Sequence, residues 1–144
     1  MSKTEKAVSC FKEGFLCSQA MVSIYGPELG LDRDTALRLS AAFGGGTARM
    51  GETCGAVSGA IMVIGLKYGH CEAKDEQARE KTYSLVREFV DRFKSVNGSI
   101  TCRELLDCDI NTPEGLQLAR EKRLFSTVCP KYVQNAAEIL EQLL

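Results

Sequence analysis

The sequence carries almost no excess charge of either sign: Lys and Arg number 18, Asp and Glu 19, and both kinds are spread along the whole chain. No basic face is implied, which argues against nucleic acid or an anionic lipid surface as a partner. Long apolar runs are missing too. The longest, Ala56 to Leu66, is interrupted by Ser58, Gly59 and Gly65 and falls short of the ~20 apolar residues that a bilayer-spanning helix needs. The polar start Met1-Ser2-Lys3-Thr4-Glu5-Lys6 leads into no export-type hydrophobic region, so a soluble, cytoplasmic chain is expected, with no membrane partner. Histidine is nearly absent, His70 being the only one. It follows Gly69, where an imidazole would complement a helix C-terminus or serve as a ligand, capping being the simpler role. There is no strand pattern, repeat, low-complexity segment or linker.

What remains is helical periodicity. Ala7, Cys10 and Phe11 share one face, and after Gly14 a second pattern runs Cys17, Ala20, Met21, Ile24 until Gly26-Pro27 breaks it. Asp32 is placed to cap a short helix ending near Phe43, Asp75 a long one ending at Asn97-Gly98, and Thr112-Pro113 another, each by accepting from first-turn amides. Tyr83, Val86, Phe89, Val90 and Phe93 are expected to form the buried face of the long helix. Thr101 precedes a short helix carrying Cys102, and Cys129-Pro130 starts the last helix, with Val133, Ala136, Ala137, Leu140 and Leu143 inward. The expectation is an all-α fold, a single-domain bundle of about six to seven helices over residues 1–144. A chain of this length buries roughly two-thirds of its unfolded surface and does not depend on covalent staples.

Cysteine is the abundant reactive type: Cys10, Cys17, Cys54, Cys71, Cys102, Cys108 and Cys129. In a reducing setting these are thiols, metal ligands or transient disulfides rather than a permanent framework. Cys54 follows Gly44-Gly45-Gly46 and opens a long apolar helix through Gly55, Ala56, Gly59 and Ala60, residues so small that another backbone can approach. A thiol at a helix start meets unpaired N–H groups and the positive end of the dipole, which favours its thiolate. Cys17, Cys54, Cys102 and Cys129 all read as first-turn residues of different helices, so a shared electropositive pocket would follow if those helices converge. Taken singly, Cys10 and Cys17 read as small core side chains, Cys54 and Cys129 as functional, and Cys102 lies between. The glycine run lacks the Gly-Lys-Ser/Thr ending of a phosphate loop and reads as a flexible or left-handed turn. Arg49 and Glu52 are minor candidates for tuning Cys54.

The order Cys17, Phe43-Gly44-Gly45-Gly46, Gly51-Glu52-Thr53-Cys54-Gly55-Ala56-Val57-Ser58-Gly59, Cys102-Arg103-Glu104-Leu105, Cys129 resembles the C_GCAxxG_C_C family of "putative redox-active" proteins across nearly the whole chain. Here the central element reads Cys54-Gly55-Ala56, where the label has Gly-Cys-Ala. The resemblance implies a small helical protein whose cysteines Cys17, Cys54, Cys102 and Cys129 serve redox chemistry or hold a metal centre. Cys10, Cys71 and Cys108 lie outside the pattern. The family is also similar to part of certain multihaem cytochromes, but the chain has no Cys-x-x-Cys-His, which argues against covalent haem.

Three functions are therefore set against one another. In the first, Cys54 is an attacking thiolate and Cys129 or Cys102 resolves the disulfide, with Cys17 a further candidate catalytic residue, an unknown redox partner and an oxidoreductase activity of unknown substrate. In the second, Cys17, Cys54, Cys102 and Cys129 bind an iron–sulfur cluster or a zinc ion. In the third, the chain is a helical interaction module, with a homodimer packed through the small-residue face of the Cys54 helix.

Overall fold

The computed structural model describes residues 1–144. In chain order the helices are α1 (Lys3–Lys12), α2 (Cys17–Tyr25), α3 (Arg33–Ser40), α4 (Gly55–Tyr68), α5 (Glu76–Asn97), α6 (Cys102–Leu106), α7 (Pro113–Glu121), α8 (Leu124–Thr127) and α9 (Cys129–Leu143). The fold is all-α, as the periodicity implies, with seven helices of seven residues or more and the two short pieces α6 and α8. No helix is long and apolar enough to cross a membrane.

Helix starts divide into two kinds. Ser2, Asp32, Asp75 and Thr112 each accept from a first-turn amide, that of Glu5, Thr35, Ala78 and Gly115 respectively, which fixes where α1, α3, α5 and α7 begin. The four helices that begin at or just after a cysteine, α2, α4, α6 and α9, have, like the short α8, no N-cap side chain accepting from a first-turn amide, although at α2 the Gln19 side chain accepts from the Leu16 N–H at 3.0 Å. Their first-turn N–H groups must find other acceptors.

Helix α4 is the axis of the bundle, packed by α2, α5 and α9. The core gathers Met21, Tyr25, Val57, Val63, Ile64, Phe89, Phe93, Val133 and Leu140, and a smaller cluster of Leu106, Ile110 and Ala119 lies under α6 and α7. The small face of α4 is filled from within the chain. A Cβ at Gly59 would stand 2.7 Å from Met21 Cβ and 3.0 Å from the Ser18 carbonyl oxygen, so α2 occupies the surface that a second copy would otherwise use. Tyr83, expected inward, is 54% exposed, whereas Phe89 and Phe93 are fully buried. Six residues at 3.6 per turn place Tyr83 about a third of a turn from Phe89. Leu143 is only partly buried at the end of α9.

Two glycines of α4 should therefore respond oppositely to substitution. Gly59→Leu overpacks the α2 contact and is expected to cost about 1–3 kcal/mol in urea unfolding. Gly65→Ala, with nothing within 4 Å of the added methyl, should stabilise by about 0.5–1 kcal/mol. Equal effects at both positions would contradict the packing described.

Candidate functional site

Cys17, Cys54, Cys102 and Cys129 line a single cavity of about 600 Å³. Cys54 is the residue immediately before α4, while Cys17, Cys102 and Cys129 are the first residues of α2, α6 and α9. Cys54 and Cys102 are buried; Cys17 and Cys129 are partly exposed. Backbone geometry makes the convergence. Thr53 and Thr101 form an isolated antiparallel bridge, in which Cys54 N–H donates to the Ile100 carbonyl at 2.7 Å and Cys102 N–H to the Glu52 carbonyl at 2.6 Å. The starts of α4 and α6 are thereby fixed side by side.

The segment before this bridge is left-handed over five consecutive residues, with φ of 65° at Gly45, 66° at Gly46, 65° at Thr47, 49° at Ala48 and 64° at Arg49. The left-handed reading of the glycine run thus extends into three residues with side chains, each at a cost of roughly 1–2 kcal/mol. The turn is held by Gly51 N–H to the Gly45 carbonyl at 3.1 Å and Glu52 N–H to the Gly46 carbonyl at 2.9 Å. A Cβ at Gly46 would lie 2.8 Å from Cys102 Cβ, and one at Gly55 would overlap the Cys17 sulfur and stand 2.9 Å from the Phe43 carbonyl oxygen.

Only one of the four sulfurs is favoured as a thiolate. Cys17 is lowered to about 7, first by the neighbouring Cys54 thiol, then, against its burial, by the N–H groups of Gly45, Ser18 and Cys17 itself. Cys54 is raised, because it is the donor in that pair, is buried and faces the Cys17 charge; only the Ala56 N–H opposes this. The pair's electrostatics thus favour the charge on Cys17, where the sequence reading puts it on Cys54. Burial, reinforced by the Cys17 charge, pushes Cys102 up to about 12 and Cys129 up to about 12. Their helix starts do little to offset this burial. The Cys102 and Arg103 amides are spent on the Glu52 and Gly51 carbonyls, and Pro130, read from the sequence as marking a favourable start for Cys129, removes an amide altogether.

The other candidates fall elsewhere. Glu52 is exposed and pairs with Arg103 at 3.1 Å, whereas Arg49 stands at the cavity. His70 and Cys71 are exposed and lie outside the cavity lining. Cys10 is buried 3.7 Å from the Ser23 hydroxyl, and the Cys108 thiol donates to the Gly115 carbonyl at 3.0 Å. Lys12, Phe15, Arg120, Phe125 and Tyr132 also line the cavity; nothing in their local sequence marks them, since four separate helices and one loop bring them together. The Tyr132 hydroxyl donates to the Leu105 carbonyl at 2.8 Å, tying α9 to α6 beside Cys102.

No group of three or more Cys, His, Asp and Glu side chains stands close enough to hold one metal ion. A single zinc bound by all four cysteines does not fit these sulfur positions. Four thiols around one cavity do match the donor type of an iron–sulfur cluster.

The geometry defines a class: a small all-α protein with helix-start cysteines gathered at one cavity. Residues 15–143 match the family described as "Putative redox-active protein (C_GCAxxG_C_C)", and the chain belongs to that family. Comparison with curated proteins and with solved structures gave no match.

The Cys17 environment has a direct pH signature. Alkylation of Cys17, followed by mass spectrometry, should rise with pH through a midpoint near 7, and Cys54→Ala should move that midpoint up by removing the thiol that does most to lower it. Because the folded value lies below the unfolded one, ionised Cys17 adds stability above the ordinary thiol range, and that contribution is lost as pH falls through about 7. A midpoint near 9 in both proteins would contradict the assignment.

Proposed function

We propose that the protein is a thiol–disulfide redox protein in which Cys17 is the attacking thiolate and Cys54 closes the protein disulfide. The observation that supports this most is the seat of the Cys17 sulfur against Gly55, the residue after Cys54, where the starts of α2 and α4 meet at one cavity. A thiol titrating near ambient pH combines thiolate population with nucleophilicity, and Cys17 is the more exposed of the pair.

With a small disulfide R–S–S–R as oxidant, the Cys17 thiolate attacks one sulfur, the S–S bond breaks, and R–S⁻ leaves and takes a proton. Consuming the Cys17 charge removes what held the Cys54 proton most strongly. Cys54 then ionises, its proton passing to solvent, and attacks the Cys17 sulfur; a second R–S⁻ departs. Two protein thiols are oxidised to one disulfide, and one substrate disulfide is reduced to two thiols. The order of the steps follows from the pair's own electrostatics. Cys102 and Cys129, held protonated, are reserve thiols at the same cavity. An unknown redox partner returns the protein to its thiol form, as the reducing cytoplasm would allow.

One equivalent of oxidised glutathione should yield a Cys17–Cys54 disulfide in peptide mapping. Cys54→Ser should accumulate glutathione on Cys17, and Cys17→Ser should slow the reaction by about 10-fold or more, as the remaining thiols are mostly protonated. Mapping that finds neither Cys17 nor Cys54 in a disulfide refutes the proposal.

A second reading rests on the convergence of all four thiols: an iron–sulfur cluster held by Cys17, Cys54, Cys102 and Cys129, supplying one-electron transfer. Iron and acid-labile sulfide in anaerobically purified protein, lost on any of the four Cys→Ser substitutions, would favour it over the thiol reading.

A further inference from the structure

We propose that the cavity is a binding site for small organic anions with an aromatic body, so that anionic aromatic disulfides are its preferred oxidants; the second clause rests on the thiol–disulfide reading, the first does not. The volume, about 600 Å³, lies within the range of small-molecule sites. Its walls include Phe15, Leu105, Leu116, Phe125 and Tyr132, surfaces suited to a flat apolar ring. Its charged lining residues are Lys12, Arg49 and Arg120, with no Asp or Glu among them. In a chain whose formal net charge is −1, this is a local asymmetry.

None of the three cations is neutralised by a carboxylate. The ion pairs of the molecule are Lys3–Glu28, Glu88–Arg92 and Glu52–Arg103. All three cations are exposed, which places them towards the mouth, above the buried Cys54 and Cys102. Lys12 and Arg120 each sit in the last turn of a helix, a position that favours a cation by itself. That preference explains the residue types but not why they meet Arg49, which arrives on the left-handed segment. An anionic group held at the mouth would leave the apolar body, and any disulfide it carries, directed towards the sulfurs beneath. Cys17 is the sulfur favoured as a thiolate, so a ligand charge is best tolerated where it is kept at these cations.

The test compares three disulfides on the intact protein: 5,5′-dithiobis(2-nitrobenzoate), a dianion; 4,4′-dithiodipyridine, neutral; and cystamine, a dication. Each rate is divided by that of the same reagent with N-acetylcysteine. The dianion should exceed the neutral reagent by roughly 10-fold or more, and cystamine should be slowest. The advantage should shrink at high salt and approach unity in the triple variant Lys12→Gln, Arg49→Gln, Arg120→Gln. Equal normalised rates in the native protein would overturn the anion preference while leaving the thiol chemistry intact. A binding arm is independent of any thiol reaction: 8-anilinonaphthalene-1-sulfonate should bind the native protein more tightly than neutral N-phenyl-1-naphthylamine and lose that margin in the triple variant. If no reagent oxidises the protein, the thiol–disulfide reading falls, and the sulfonate arm alone decides the site; no margin there overturns it.

Discussion

The site depends on an absence at Gly55. Because that residue has no side chain, the Cys17 sulfur can rest against the backbone at the start of α4, within reach of the Cys54 thiol and beside the first amides of α2. Every other feature of the centre follows from this seat. It requires α2 and α4 to approach closely, which Gly59 permits one turn further on, and it requires helix starts left free of side-chain caps. A capped start would satisfy the amides locally and leave less to stabilise a sulfur anion.

The left-handed segment is the second constraint and serves the first. Gly45 contributes an N–H to Cys17, Gly46 clears space for Cys102, and Arg49 reaches the cavity mouth. Thr47, Ala48 and Arg49 adopt this backbone at a steric cost, which the bonds to residues 51 and 52 and the Thr53–Thr101 bridge offset. Strain of this kind persists where the surroundings over-determine the conformation, as around functional sites. One short stretch therefore links the ionised thiol, the wall of the cavity and its cationic mouth.

Much of the architecture was legible in the sequence, because capping and periodicity are local. Asp32, Asp75 and Thr112-Pro113 mark starts that the structure keeps, and Gly69 and Gly98 mark ends. The four helix-start cysteines were visible for the same reason. The charge state at each was not. It depends on burial, on which amides are already engaged, as at Cys102, on a donor missing at Pro130, and on how the Cys17–Cys54 pair shares one charge. Nor could the pattern extend the left-handed turn beyond its glycines, since Thr, Ala and Arg carry no preference for that region. Lys12 and Arg120 were invisible as site residues because only the packing of α1 and α7 brings them to one opening.

The account is tested most directly by the thiol pKa of Cys17 in Gly55→Ala, measured in protein shown to be folded by its circular dichroism. The added methyl displaces the sulfur from its seat, so the value should rise from about 7 towards the 9.0 of an ordinary thiol. A folded Gly55→Ala protein whose Cys17 still titrates near 7 would contradict the claim that this seat creates the thiolate.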